Sequence, residues 1–419
     1  MTDSIINHYG TAQVQRTVTI YIMLTPLLWA LGAMIPAGVA LLFWTLFMRG
    51  RLVSIIDSLI LSWWTVAGAQ ALSVLFNWAN AGNSVVDLLY RLVSAVVIGW
   101  VFMGLALSAG RAYHLASERV AHGVCILGSY FLFFGLVSIG ISRLSNAQYL
   151  NVLSPVGYLF PRWLPSTLNY FTMRFYIIQH TFGLSLPRLI LFYPWSEALG
   201  FAGIAVFFIS LNDTKPIWKA LGTIGGIFAV LGSMSRAAAV SFFISFILYI
   251  WLRANAGVRW LTVCAVSVVM TLLVAYGFLF HNYIGRSYTE IMAIRQGSSD
   301  ARRMAYKATW HAFQTSPLLG YGWPGDYLSE HIPIRLGTHS TLYGTLYTGG
   351  ALTFISLCFA LGLTFFLVIF TSHCPSKIKR SSICILVTTL IMSYGEGICS
   401  FIVPCLFAFL WIGGALARE

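Results

Sequence analysis

Long apolar runs follow one another along most of this chain, and few folds can accommodate them. They lie at about 18–33, 34–48, 53–76, 85–109, 121–143, 196–212, 217–233, 237–253, 259–280, 343–371, 381–395 and 399–416. A helix rises ~1.5 Å per residue and needs about 20 apolar residues to cross the hydrocarbon core. The runs therefore predict an all-α integral membrane protein with about twelve transmembrane helices, residues 1–419 forming one polytopic membrane domain. Composition agrees: 58% of residues are hydrophobic and 9% charged, against about 25% charged in soluble domains. The first two runs are the ambiguous pair. Residues 18–48 carry no charge and are too long for one ordinary span, and Gly32, Pro36 and Gly38 mark a turn or break between them.

Charge placement sets the expected orientation. With a cytoplasmic N-terminus, the short inner connections carry Arg49 and Arg51, Arg111 and Arg119, Lys215 and Lys219, Arg253 and Arg259, and Lys377, Lys379 and Arg380. The short outer turn at 79–84 carries no cation, which is the positive-inside pattern. Two long polar segments then fall outside, 144–195 and 281–341. Connections of this length are usually functional. Within the second, Asp300 to Gln314 reads as an amphipathic helix near the interface, with Met304, Trp310 and Phe313 apolar. The formal charge of +13 is dispersed between apolar runs, so it favours anionic lipid headgroups and a phosphorylated ligand and excludes nucleic acid as the expected partner. Residues 1–15 lack the basic n-region of a cleavable signal. The seven cysteines fall mainly in apolar runs without a CxxC pair and read as small core hydrophobes.

The outer side gathers the residues able to do chemistry. Arg188 follows Pro187 just before a span, Arg236 sits in the turn Gly232-Ser233-Met234-Ser235-Arg236, and Arg302 opens a stretch in the second segment beside Arg303. A guanidinium pairs with phosphate through a planar fork and stays charged at every relevant pH. These arginines are read as diphosphate ligands, against snorkelling or pairing with Glu197 or Glu396. His339, where the chain re-enters the membrane, is the candidate general base, because its ordinary pKa lets it take a proton from a hydroxyl. The competing role is a helix cap. Glu396, between two glycines at the end of an apolar run, either meets an acceptor or neutralises an arginine, and the second role is favoured. Asp300 and Asp326 are loop carboxylates near the same segment, whereas His281, His311 and His331 read as interfacial. Arg91 and Asp87 are spaced as a helical i,i+4 pair. No metal-ligand cluster, P-loop or paired acidic motif stands on an outer loop, so neither a metal nor a cofactor is expected and phosphate charge falls to arginine.

These residues resemble the O-antigen ligase and Wzy-type polymerase superfamily of bacterial inner-membrane glycosyltransferases. The resemblance rests on Asp300-Ala301-Arg302-Arg303-Met304-Ala305-Tyr306, on Ala312-Phe313 and Pro317-Leu318-Leu319-Gly320-Tyr321-Gly322, and on Thr338-His339-Ser340 followed by Gly349-Gly350. The turn Ser233-Met234-Ser235-Arg236 matches a further family motif, and Arg188 before Phe192-Tyr193-Pro194 aligns more loosely. Residues 180–416 carry the similarity; the first half resembles the family mainly in hydropathy.

The resemblance implies a GT-C-like fold and a periplasm-facing active site. It implies a glycan donor on undecaprenyl diphosphate and an acceptor that is either another glycan or lipid A-core. Arg188, Arg236 and Arg302 would hold the diphosphate and His339 would orient or deprotonate the acceptor hydroxyl in a metal-independent, inverting transfer. Arg303, Asp300, Tyr306 and Glu396 would contact the acceptor or support the site. Membrane lipid and a chain-length regulator are the further partners. Ser340 stands where many ligases have Asn, and on this basis polymerisation of O-antigen or exopolysaccharide repeats is preferred over ligation. A flippase for the same lipid-linked sugar would want charge distributed through several helices, and a scaffold would not need outward arginines beside a histidine.

Overall fold

The structure is a computed structural model and describes residues 2–47, 57–81, 84–145, 147–159, 168–181, 184–268, 271, 296–329, 332–371 and 374–417. Its helices begin with α1 (Thr2–Met23), α2 (Thr25–Leu31), α3 (Met34–Phe47), α4 (Ser58–Ala81) and α5 (Val85–Arg91). A π-helical stretch, Leu92–Val101, joins α5 to α6 (Phe102–Ala112), and α7 spans Glu118–Ser145. The central helices are α9 (Ser196–Ser210), α10 (Pro216–Gly232), α11 (Arg236–Arg253) and α12 (Ala256–Val268). The C-terminal half adds α13 (Gln296–Thr315), α14 (Thr341–Phe366), α15 (Ser376–Gly395) and α16 (Leu406–Gly414).

Among the described residues, five helices are long and apolar enough to cross a membrane: Ser58–Asn80, Val85–Ala112, Glu118–Ser145, Arg236–Arg253 and Thr341–Phe370. A sixth counts if Gly10–Met23 and Thr25–Leu31, bent by 59°, form one broken span. The protein is thus a multi-pass membrane protein, but the expectation of about twelve spans counted apolar runs rather than helices. The runs at 196–212 and 217–233 are helices of 15 and 17 residues. The run at 399–416 divides between a 3₁₀ turn and the nine-residue α16. The second half of the run at 259–280, with His281 and His331, lies outside the described residues. In the ambiguous N-terminal pair the break falls at Gly32, which caps α2 with φ +74°, while Pro36 and Gly38 lie inside α3.

The short helices form the core. Almost every residue of α9 is buried, and α10 packs on both α7 and α9 through glycine contacts. A Cβ on Gly128 would stand 2.7 Å from the Gly222 Cα, and one on Gly203 would stand 2.8 Å from the Gly226 carbonyl oxygen. Such small-residue faces let backbones approach where lipid removes the hydrophobic drive to pack.

The two long polar segments contain β-structure that hydropathy did not predict. In the first, β1 (Tyr149–Leu153), β2 (Thr172–Thr181) and β3 (Leu184–Leu189) form an antiparallel sheet in the order β1-β2-β3, with a bulge at Leu150/Asn151. The five-residue helix α8 (Pro155–Leu159) follows β1. In the second, β4 (Tyr327–Ser329) pairs with β5 (Ile332–Arg335), placing Tyr327 opposite Arg335.

One break in α14 shapes the site region. Gly350 has φ +65° and ψ −167° in the interior of the helix, a combination essentially confined to glycine. The backbone groups it releases are met by the turn at 317–322. The Tyr321 and Gly322 amides donate to the Tyr347 and Thr348 carbonyls, each at 2.8 Å, and the Ala351 amide donates to Pro317 O at 2.7 Å. Three polar residues on one face of α4 hold this turn down. Gln70 Nε2 donates to Gly322 O (3.3 Å) and Asn77 Nδ2 to Gly320 O (3.1 Å), while Ser73 Oγ meets both Leu319 O of the turn and Thr348 O of α14 (2.6 Å to the latter). A backbone break inside lipid is tolerated only when protein satisfies it, and this one is satisfied from both sides. Gly350→Ala would introduce a Cβ 2.6 Å from the Leu319 amide nitrogen in a conformation that costs about 1–3 kcal/mol for other residues. We expect a clearly lowered melting temperature for this variant in detergent; an unchanged transition would show that the break is not under this constraint.

Candidate active site

A cavity of about 710 Å³ opens between the start of α14, the inner face of α13, the π-helical stretch and the turn after α15. This is the size of an ordinary ligand pocket. His339, Arg302, Glu197 and Glu396 line it, together with Arg335 and the aromatic residues Trp100, Trp195, Trp323 and Tyr327.

The local sequence holds His339 in place. Ser340 caps α14, its Oγ accepting from the Tyr343 amide at 3.2 Å and donating to Ser393 O at 3.3 Å. Thr341 clamps the same junction to the turn after α15: its amide and Oγ both donate to Glu396 O (3.0 and 2.8 Å), and its Oγ accepts from the Ile398 amide (2.8 Å). Held between Gly337 and this cap, His339 adopts φ +58°, an uncommon conformation for a non-glycine residue and one that clusters at functional sites. Tyr306 Oη donates to the His339 carbonyl at 3.0 Å. The Tyr306 ring stacks on Tyr343 at 4.7 Å with an interplanar angle of 6°, and Tyr394 packs edge-on against both. Tyr306 is therefore a brace for the histidine backbone.

The imidazole faces the cavity, where crowding by surrounding atoms and the nearby Arg302 guanidinium hold its pKa below the ordinary 6.5, with Glu197 opposing them weakly. The lowered pKa favours the neutral imidazole, the form that accepts a proton.

Charged side chains form a chain behind it. Arg302 donates to Glu396 Oε1 (3.0 Å) and to Gly395 O (3.2 Å), and lies 3.9 Å from Glu197 Oε1. The same Glu197 oxygen accepts from Arg188 at 2.6 Å, while Ser196 Oγ donates to the other Glu197 oxygen at 3.0 Å. Arg188, on β3 opposite Ile177, also donates from Nε to Ser233 O at 2.9 Å. That bond ties it to the turn bearing Arg236, where Met234 has φ +49° and Ser235 caps α11. The expected pairing of Glu396 with an arginine is thus present, and Arg188 and Arg302 both meet carboxylates. The described residues lining the cavity include Arg302 but neither Arg188 nor Arg236, which stand behind Glu197 and at the exposed start of α11.

Arg303 and Asp300 pair with one another at 3.2 Å on the exposed side of α13, directed away from the cavity. The Arg91–Asp87 pair forms as its spacing predicts, at 2.7 Å. Among the described residues, no three His, Cys, Asp or Glu side chains converge as a metal site.

Sequence reading passed over Arg335 and the cavity aromatics. Arg335 packs its guanidinium over Tyr327 at 4.9 Å, a cross-strand contact visible only once β4 and β5 are paired. Glu197 was noted only as a partner for arginine, and it proves to link Arg188 with Arg302.

Residues 221–358, which run from α10 into α14 and include Arg236, Arg302 and His339, match the family model described as O-antigen ligase. This similarity covers about a third of the chain and supports the resemblance to the O-antigen ligase and polymerase superfamily. The matched superfamily segment excludes Arg188, Glu197 and Glu396, so the chain supplies part of the charged chain from outside it. No curated protein matches the chain.

Glu396 gives the site a pH signature. Burial, reinforced by the like charge of Glu197 and only partly opposed by Arg302, pushes its pKa from 4.5 up to about 8. A carboxyl whose pKa is raised on folding contributes stability that is complete below its unfolded pKa and is lost as pH rises through its folded pKa. The melting temperature of the wild type relative to Glu396→Gln should therefore fall as the pH is raised from 5 to 9. A difference between the two that stays flat across this range would refute the raised pKa.

Proposed function

We propose that this chain transfers a glycan from undecaprenyl diphosphate to an acceptor sugar hydroxyl at the periplasmic face of a bacterial inner membrane. The observation that carries this reading is His339 in the wall of one cavity with Arg302, both in a segment that matches the O-antigen ligase family model. The acceptor hydroxyl attacks the anomeric carbon, and its proton passes to His339. The bond from that carbon to the diphosphate oxygen breaks on the opposite side, so configuration inverts and undecaprenyl diphosphate leaves. Arg302 meets the charge that builds on the leaving group, where fixed cations are most effective. Arg188, paired with Glu197, and Arg236, at the exposed start of α11, would extend the positive charge along the route of the diphosphate. The aromatic rings of Trp195, Trp323 and Tyr327 offer apolar faces to sugar rings in the same cavity.

The preference for polymerisation rested on Ser340 in place of Asn. Ser340 caps α14, and Asn caps helices equally well, so this position does not separate the two activities. The description of the matched family favours ligation to lipid A-core. Transfer rather than flipping is supported by the position of the histidine: a translocating cavity has no use for a base held in a strained conformation beside arginine.

Purified protein given its undecaprenyl-diphosphate-linked repeat unit, with and without lipid A-core, tests the proposal. A ladder of lengthened lipid-linked glycan without core identifies a polymerase, and product on core alone identifies a ligase. His339→Asn, chosen because Asn tolerates a positive φ, should reduce transfer by about 10²–10⁴-fold while leaving the melting temperature close to wild type. Wild-type transfer should decline as pH falls through a value below 6.5. Transfer by the His339→Asn variant at the wild-type rate would remove the base from the mechanism.

A further inference from the structure

Helix α13 has an inner and an outer face of different chemistry. The inner face carries Arg302, the buried Ala305 and Thr309, and Tyr306. The outer face is exposed and presents Arg303, Met304, Lys307, Trp310, His311 and Gln314, which recur at the i, i+3, i+4, i+7 spacing of one helical stripe. Met304 and Trp310 are 51% and 45% exposed.

The depth of α13 is fixed by a separate observation. Tyr306 stacks on Tyr343, in the first turn of α14, and packs against Tyr394, in the last turn of α15. The first turn of a spanning helix lies where polar headgroups meet hydrocarbon. The middle of α13 is therefore level with the headgroups, and its outer stripe turns away from the protein at that level. A stripe of Trp and Met interleaved with Arg and Lys matches that layer, with apolar tips in the acyl boundary and cations at the phosphates. Arg303 shares its charge with Asp300, so Lys307 is the stronger cation of the stripe.

We propose that α13 is an interfacial helix whose outer stripe docks on anionic phospholipid headgroups. The lipid surface then sets the height of Arg302 on the opposite face, at the depth where the diphosphate of a membrane-anchored donor lies. This consequence rests on the proposed function; the docking itself does not.

The test uses full-length protein in nanodiscs of phosphatidylglycerol and phosphatidylethanolamine, with no glycan donor present, so that its outcome is independent of the transfer reaction. A photoreactive phenylalanine placed at Trp310 should form adducts with the lipid. Lys307→Gln should reduce the phosphatidylglycerol retained by the purified protein, read by native mass spectrometry, by about fivefold. Arg303→Gln should reduce it less. Photoproducts confined to water, or crosslinks to a second copy of the chain, would overturn the proposal. So would lipid adducts whose yield is indifferent to replacing phosphatidylglycerol with a neutral lipid, together with unchanged lipid retention in Lys307→Gln.

Discussion

Backbone polarity inside a membrane is the constraint around which this protein is arranged. Helix α14 breaks at Gly350, and each group released there must find a protein partner because hydrocarbon supplies none. The turn at 317–322 answers with its own amides and carbonyls, and Gln70, Ser73 and Asn77 of α4 hold the turn against the break. The consequences reach the cavity directly. Gln70, Gly322 and Thr348 are at once parts of this arrangement and parts of the cavity wall. A long apolar helix would have sealed the region; the broken one leaves a polar notch at the level where chemistry is proposed.

The second organising element is the alternation of arginine and carboxylate through Arg188, Glu197, Arg302 and Glu396. It joins neighbouring β3 and α9 to α13 and to the turn after α15, both far along the chain. Glu197 does more than neutralise a neighbour, since it shares one oxygen between Arg188 and Arg302. Such a pairing keeps guanidiniums ordered without a ligand present, which lowers the entropic cost of presenting them to one.

Part of this was legible in the chain. Hydropathy identified the membrane class, and the 3.6-residue periodicity at 300–314 identified α13. Charge type and spacing singled out Arg302, His339 and Glu396, which the fold brings into one cavity. The strands were not legible, because β1 and β3 are short, β2 is mixed in polarity, and all three lie in a segment whose length alone drew attention. Nor was the division of apolar runs into long spans and short buried helices, since α9 and a lipid-facing helix are equally apolar and differ only in what surrounds them. Gln70, Ser73 and Asn77 read as incidental polar residues in a span, and only the loop 250 residues later gives them a purpose. Arg335 gained its place from strand pairing, and no local motif announces that.

Arg302 and Tyr306 stand one helical turn apart on α13. One donates to the carboxyl group of Glu396 and the other to the carbonyl of His339. The helix therefore behaves as a yoke between the arginine side and the histidine side of the cavity. Any tilt or slide that admits a bulky ligand beside the guanidinium is transmitted through the stacked tyrosines to the imidazole. Spatial registration between the two halves is consequently a property of a single rigid body, and it does not have to be re-established each time a substrate arrives.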